Sequence, residues 1–209
     1  MLCLGSSGNL VLAKKAGFVI GKILKENGFS FYIFGSLDTL RFNDPEPLKK
    51  ISSSPYITAQ VLQLFAEGLG DAGIIPVIDA RRDINKDVII SLITRKATFP
   101  IMVENEKKYL ELKKLGYVTS LVITEKDVLV GKLVPLKWKN TRSVNIGSIR
   151  EEILKSSIVL LGKGKKIFIN DPFHEKGVLI FSEEPWLVEK AWEVLQGLSN
   201  PTGRIPFRQ

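Results

Sequence analysis

The chain has 209 residues, 44% of them hydrophobic and 25% charged, enough for one large domain or two small ones with a real core, which excludes a disordered or collagen-like chain. No apolar run approaches the ~20 residues of a membrane-spanning helix, and the opening MLCLGSSGNL lacks the basic start and long apolar stretch of a secretory leader. The net charge of +8 comes from lysines spread along helix faces without a run of five basic residues, so a solvated surface is expected rather than a nucleic-acid interface.

In chain order, Leu10 to Asn27 reads as a helix with apolar residues every three or four positions and Gly28 as its stop. Phe29 to Leu37 reads as an aromatic-rich strand. A loop with two prolines follows, and then Ser54 and Pro55 give a cap and a first helical position. Ile57, Val61, Leu64, Phe65 and Leu69 continue that helix until Gly70 and Gly73. Ile74 to Ile78 is a strand apolar throughout, as expected for a strand buried on both faces. Lys86 to Lys96 is a helix, Phe99 to Val103 a strand, Asn105 to Leu115 a helix closed by Gly116, and Tyr117 to Thr124 a strand. This alternation predicts a parallel sheet with crossover helices.

The polar stretch from Pro135 to Gly147 reads as a boundary. Beyond it the sequence predicts a helix from Ser148 to Lys155 and strands at Ser157 to Leu161, Lys166 to Asn170 and Gly177 to Phe181. A hairpin turn is expected at GKGKK, Gly162 to Lys166. Pro185 to Gly197 is a helix whose Trp186 and Trp192 share the spacing of core residues. The fold class is thus α/β: an incomplete (β/α)-barrel-like parallel sheet over residues 1–137, then a small α/β part over 147–209.

Position singles out four acids. Asp38, Asp79, Glu104 and Glu125 each follow one of the first four predicted strands. In parallel α/β folds ligands bind at that carboxyl edge. Four converging carboxylates would suit a polyhydroxylated ligand, a cation, or glycoside hydrolysis; taken singly, an acid after a strand is more often a helix cap or a surface group. The one cysteine, Cys3, permits no internal disulfide and fits a reducing, cytoplasmic setting. The one histidine, His174, leaves no Cys/His cluster for zinc, so no metal is expected. Gly5 to Asn9 (GSSGN) precede a helix and could cradle a phosphate. They lack the dinucleotide and Walker spacings, so no cofactor is expected and nucleotide binding is a minor alternative.

Several segments, in order, resemble family 3 glycoside hydrolases. LGSSGNLVLAKKAGFVIGKILKENGFSFYIFGSLD is similar to that family's helix and "PVLD" strand. SSSPYITAQVLQLFAEGLGDAGIIPV is similar to its next helix and strand, and SLVITEKDV to the "GLVITDSL" strand that carries its nucleophile. AWEVLQGLSNPTGRIPF resembles the family's "NPSGRLPV" segment. The resemblance implies a barrel-like part followed by an α/β part, and hydrolysis of β-O-glycosidic bonds in β-glucosides or β-N-acetylglucosaminides with retention. It puts Glu125 at the nucleophile's position, with Asp127 as the alternative, and Asp38 at the aspartate that holds sugar hydroxyls. Lys49 or Lys50 replaces the arginine of the family's "RSFG" stretch. The family's "KHFPGHG" stretch is replaced by IDARRDINK, where Arg81 and Arg82 offer substitute contacts to a hydroxyl or anionic group. The acid/base would come from the second part, with His174 and Glu175 as candidates. Because the family's opening strands are missing, an open sheet would leave edges exposed, and a homodimer covering them is expected. A second reading keeps the sugar site without catalysis, as a binding or structural protein.

Overall fold

The structure is a computed structural model that describes residues 1–119, 121–124, 146–174 and 176–204. Its elements are α1 (Leu2–Ser7), α2 (Leu10–Glu26), β1 (Phe31–Phe34), a 3₁₀ turn (Pro47–Lys49), α3 (Pro55–Asp71), β2 (Ile75–Asp79), α4 (Lys86–Thr94), β3 (Ile101–Val103), α5 (Glu106–Lys114) and β4 (Val122–Thr124), then α6 (Ile146–Ser156), β5 (Val159–Gly162), β6 (Ile167–Ile169), β7 (Gly177–Ile180) and α7 (Pro185–Leu195). Polar side chains start four of the helices by accepting the free amides of the first turn. Asn9 accepts from Val11 N, Ser54 from Ile57 N, Asn85 from Asp87 N and Asn105 from Lys108 N. Pro55 holds the first position of α3, where its missing N–H costs nothing.

The first sheet has four strands in the order β1-β2-β3-β4, all parallel, with Phe31 opposite Ile75, Ile78 opposite Ile101 and Ile101 opposite Val122. Strand periodicity divides its side chains. Phe34, Ile78, Ile101 and Val103 enter the core they share with α2, α3, α4 and α5. Val77, Met102 and Ile123 form a separate cluster on the opposite face, with Phe31, Ile33, Ile75 and Leu121 around it. The mixed α/β class and the parallel sheet expected from the sequence are therefore both present.

Helices α2 and α3 lie unusually close. A Cβ added at Gly17 would stand 2.1 Å from the Phe65 carbonyl oxygen, and one at Gly68 would stand 2.1 Å from that of Lys14. Hydrogen in place of a side chain at these two positions lets the backbones touch and seals the inner helix layer.

Paired strand segments are shorter than the apolar runs that announced them. The run Tyr117 to Thr124 pairs only over Val122–Thr124, because Tyr117 is recruited into the core instead. It is fully buried, its hydroxyl donates to Phe99 O at 3.1 Å and accepts from Phe99 N at 3.0 Å. Burial pushes its phenol up to about 12, against a small lowering by the Phe99 hydrogen bond.

The short helix α1 takes in Gly5 to Ser7 of GSSGN; Leu2 and Leu4 are buried there, and Gly5 sits where a Cβ would collide with the Ile51 carbonyl oxygen. One local expectation is corrected. GKGKK is not a hairpin turn. β5 and β6 are the two outer strands of a second sheet ordered β5-β7-β6, in which β7 pairs antiparallel with β5 and parallel with β6. β7 takes the centre because Gly177, Val178, Leu179 and Ile180 are all buried and satisfy both faces.

Helix α7 turns Leu187, Ala191 and Val194 inward onto this sheet. Trp186 lies partly buried against that core and donates to Glu184 at 2.6 Å, whereas Trp192, next to Ala191, is left 46% exposed. Arg150 of α6 pairs with Glu184 at the start of α7, and Lys15 of α2 pairs with Glu152 of α6. The segment after α7 runs along the second part, where Gly203 N donates to Ile158 O, and then reaches the first, where Arg204 N donates to Ser6 O. The predicted boundary from Pro135 lies outside the described residues up to 145, and Ile146 and Gly147 already belong to α6.

Candidate functional site at the carboxyl edge of the parallel sheet

Parallel order places the carboxyl ends of β1 to β4 along one edge. Asp79 is the last residue of β2, Glu104 follows β3 directly, and Asp38 lies four residues beyond β1. Glu125 follows β4 directly in sequence, but Glu125, Asp127 and Glu175 lie outside the described residues.

Asp38 is only 2% exposed. One carboxylate oxygen accepts from Lys50 Nζ at 2.8 Å and the other from Arg41 Nη2 at 3.1 Å. Burial alone would raise its pKa. The Lys50 hydrogen bond and charge, the Thr39 amide and the Arg41 charge outweigh burial and hold the carboxyl below its ordinary range. Lys50 is the nearly buried partner, and Lys49 instead reaches Glu46 from the surface. The loop around the pair is fastened at several points: Leu40 N donates to Ser52 O, Thr58 Oγ1 to Ser52 O, Asn85 N to Leu37 O and Asn85 Nδ2 to Thr39 Oγ1.

Asp79 holds Arg81 in a two-point bond, Nε to Oδ1 at 2.9 Å and Nη2 to Oδ2 at 2.7 Å. By strand alternation Asp79 shares the sheet face of Ile75 and Val77, the face opposite the helix layer. Arg82 turns to Glu46, which ties the loop after β2 to the loop after β1. Glu104 is exposed. The edge thus carries two carboxylates with their cations already fixed beside them, Asp38 with Lys50 and Arg41, and Asp79 with Arg81. Alternating fixed acceptors and donors can bind vicinal hydroxyls, each of which donates one hydrogen bond and accepts another. Arg41 also lines a cleft of about 550 Å³ with Asp83, Lys86, Lys108 and Glu111.

His174 stands on the β6–β7 connection. Its ring stacks on Phe168 at 3.6 Å between centroids and its Nε2 is 2.8 Å from Asp171 Oδ2. The preceding residue, Phe173, packs against Leu2 and Leu40 and meets Phe42 edge-on at 5.8 Å. The loop of the second part is therefore anchored on the loop that follows β1, two residues from Asp38. Sequence reasoning picked His174 and missed Phe173, the residue that docks the loop; the adjacent apolar pair at Leu40 and Phe42 in a polar loop was the available signal.

The GSSGN segment is consumed by packing. Ser7 Oγ donates to Leu4 O, Asn9 caps α2, and Gly8, with φ +62, lies against the Arg204 side chain. Cys3 lines an apolar cavity of about 450 Å³ between α2 and α6, with Val19, Ile20, Ile23 and Ile153, and burial pushes its thiol up. Among the described residues there is no group of three or more His, Cys, Asp or Glu side chains able to hold a metal ion, and no helix long and apolar enough to cross a membrane. No family model, curated protein or solved structure matches the chain.

Proposed function

We propose that the protein binds a β-linked carbohydrate at the carboxyl edge of its parallel sheet, as a compact, incomplete-barrel relative of family 3 glycoside hydrolases. The observation that carries this reading is the ion pair of Asp38 with Lys50. The resemblance puts the aspartate that holds sugar hydroxyls at Asp38 and a lysine, Lys49 or Lys50, in place of the arginine of the family's "RSFG" stretch, and it is Lys50 whose Nζ meets the Asp38 carboxylate at 2.8 Å. The sequential parallel order of β1 to β4 also supports it, since this is the order of strands around a barrel. In this reading Glu125 attacks the anomeric carbon, Asp38 and Asp79 with their cations hold hydroxyls, and His174 on the anchored loop or its neighbour Glu175 delivers the proton. A homodimer that covers the outer strands belongs to the same proposal, as does a cytoplasmic location.

Chromogenic β-glucosides and β-N-acetylglucosaminides test it. Turnover is expected in the wild type, with loss in Glu125→Ala of at least about 1,000-fold, the scale on which removing a principal catalytic group acts. Turnover that survives unchanged in Glu125→Ala contradicts the assignment. The second reading, binding without catalysis, is favoured by the closure of both Asp38 and Asp79 onto cations of their own chain. Its mark is a sugar-induced rise in melting temperature with no product released.

A further inference from the structure

We propose that the apolar cavity between α2 and α6 binds a free fatty acid of medium chain length, with its chain between the two helices and its carboxylate at Arg150. The space of about 450 Å³ is of small-molecule size. Residues of α1, α2, α3, β1 and α6 make its walls, and none of them belongs to the carbohydrate site at the carboxyl edge.

The cavity follows from helix periodicity and from what holds the helices apart. Ile20 and Ile23 stand three apart on α2, and Ile149 and Ile153 four apart on α6, so each pair shares one face of its helix. All four line the space and stay partly exposed. α1 packs against both helices. It is itself fixed, because Gly5 brings its backbone against the Ile51 carbonyl oxygen, so the helices cannot close over the gap. Water fills such a space poorly, since a bound water needs about 2–4 polar partners. The polar side chains of the lining are Cys3, whose thiol is bonded to Ser157, with Tyr32 and Arg150. A saturated chain needs no such partner, and each methylene it buries adds about fourfold to affinity.

The charge of the lining selects the head group. Arg150 is its one charged side chain, and no carboxylate lines the space. Nη1 of Arg150 is paired with Glu184 Oε1, and Oε2 of the same carboxylate accepts from Trp186 Nε1 at 2.6 Å. A guanidinium carries five N–H donors, so this pairing steadies the group and leaves donors for a second carboxylate. An ammonium head would meet that cation with repulsion, and a neutral head would forgo a charge-assisted bond.

Cys3 is the chain's one cysteine, so the rate of its modification by iodoacetamide reports on the cavity. Dodecanoate, octanoate and dodecanol, each kept below the concentration at which it aggregates, are titrated by calorimetry and against that rate. The expected result is saturable binding of dodecanoate, at least about tenfold tighter than octanoate, with Cys3 modification slowed in step. If burial leaves Cys3 unreactive without ligand, calorimetry alone decides. Arg150→Gln should weaken dodecanoate at least about tenfold, the scale of one charge-assisted hydrogen bond, and leave dodecanol unchanged. Ile20→Trp and Ile153→Trp fill the space from opposite walls, and each should abolish binding of both while the circular dichroism of the fold is kept. Absence of saturable binding, equal binding of dodecanoate and dodecanol, or dodecanoate binding that survives in a folded Ile20→Trp or Ile153→Trp overturns the proposal.

Discussion

Gly68→Ala is expected to destabilise the protein by about 3 kcal/mol or more, whereas Gly70→Ala, two residues further along the same helix, is expected to stabilise it by up to about 1 kcal/mol. Both replace glycine by the best helix former, a gain of about 1 kcal/mol in a helix interior. At Gly70 nothing lies within 4 Å of the new Cβ, so the gain stands alone. At Gly68 the methyl would lie 2.1 Å from the Lys14 carbonyl oxygen and 2.7 Å from Phe18 N, both backbone atoms of α2. Neither can swing aside as a side chain end would, so the two helices must separate. Overpacking of this kind costs about 1–3 kcal/mol in tolerant cores and more where backbone must move. For a chain of this size about 3 kcal/mol lowers the melting temperature by roughly 6–12 °C. Gly17→Ala, which meets the Phe65 carbonyl from the other side, should match Gly68→Ala. Thermal unfolding followed by circular dichroism checks all three; equal effects at Gly68 and Gly70 would contradict the close helix contact.

Lys50→Met carries the second large effect. It removes the nearly buried cation from a carboxylate whose side chain is only 3% exposed and leaves Arg41, itself largely in solvent, as the remaining charged partner. Breaking a buried pair from one side costs about 3–5 kcal/mol, because the stranded charge has lost its water as well as its partner. The pair also sets an acid limb. Since the Asp38 pKa is lowered from 3.8 in the folded chain, the unfolded state binds a proton first as pH falls. The pair's contribution is complete above about pH 5 and is lost as pH drops through the folded value. Urea unfolding at a series of acidic pH values should therefore give a flatter stability profile for Asp38→Asn than for the wild type. A profile of identical slope would contradict the ionised, paired state of Asp38.

Much of the first sheet could be read from local chemistry. Caps at Asn9, Ser54, Asn85 and Asn105 and the stop at Gly116 act within one helical turn, and the alternation of elements then leaves parallel crossovers as the economical topology. Strand ends were less legible, because apolar runs continue past the last pairing hydrogen bond wherever a side chain such as Tyr117 is buried by other means. The second sheet was misread for a related reason. GKGKK has the composition of a tight turn, yet the buried run Gly177–Ile180 claims the centre and pushes β5 and β6 to the outside. Strand competition for a central place is a property of the whole sheet and leaves no local mark.

At the site, the edge positions of Asp38, Asp79 and Glu104 followed from strand order. Their partners did not, since the stretch from Asp38 to Lys50 folds back through the Ser52 and Asn85 hydrogen bonds. Two-residue spacing made the Asp79–Arg81 bond available, but only the geometry distinguishes it from a separate surface charge.

The most direct measurement is a crystal structure of the protein soaked with a hydrolysis-resistant, sulfur-linked β-glucoside or its N-acetylglucosamine counterpart. The account predicts a sugar ring at the carboxyl edge, its hydroxyls bonded to Asp38 or Asp79 and to Lys50 or Arg81. A sugar bound elsewhere, or an edge that stays empty at saturating ligand while the crystals remain intact, would contradict it.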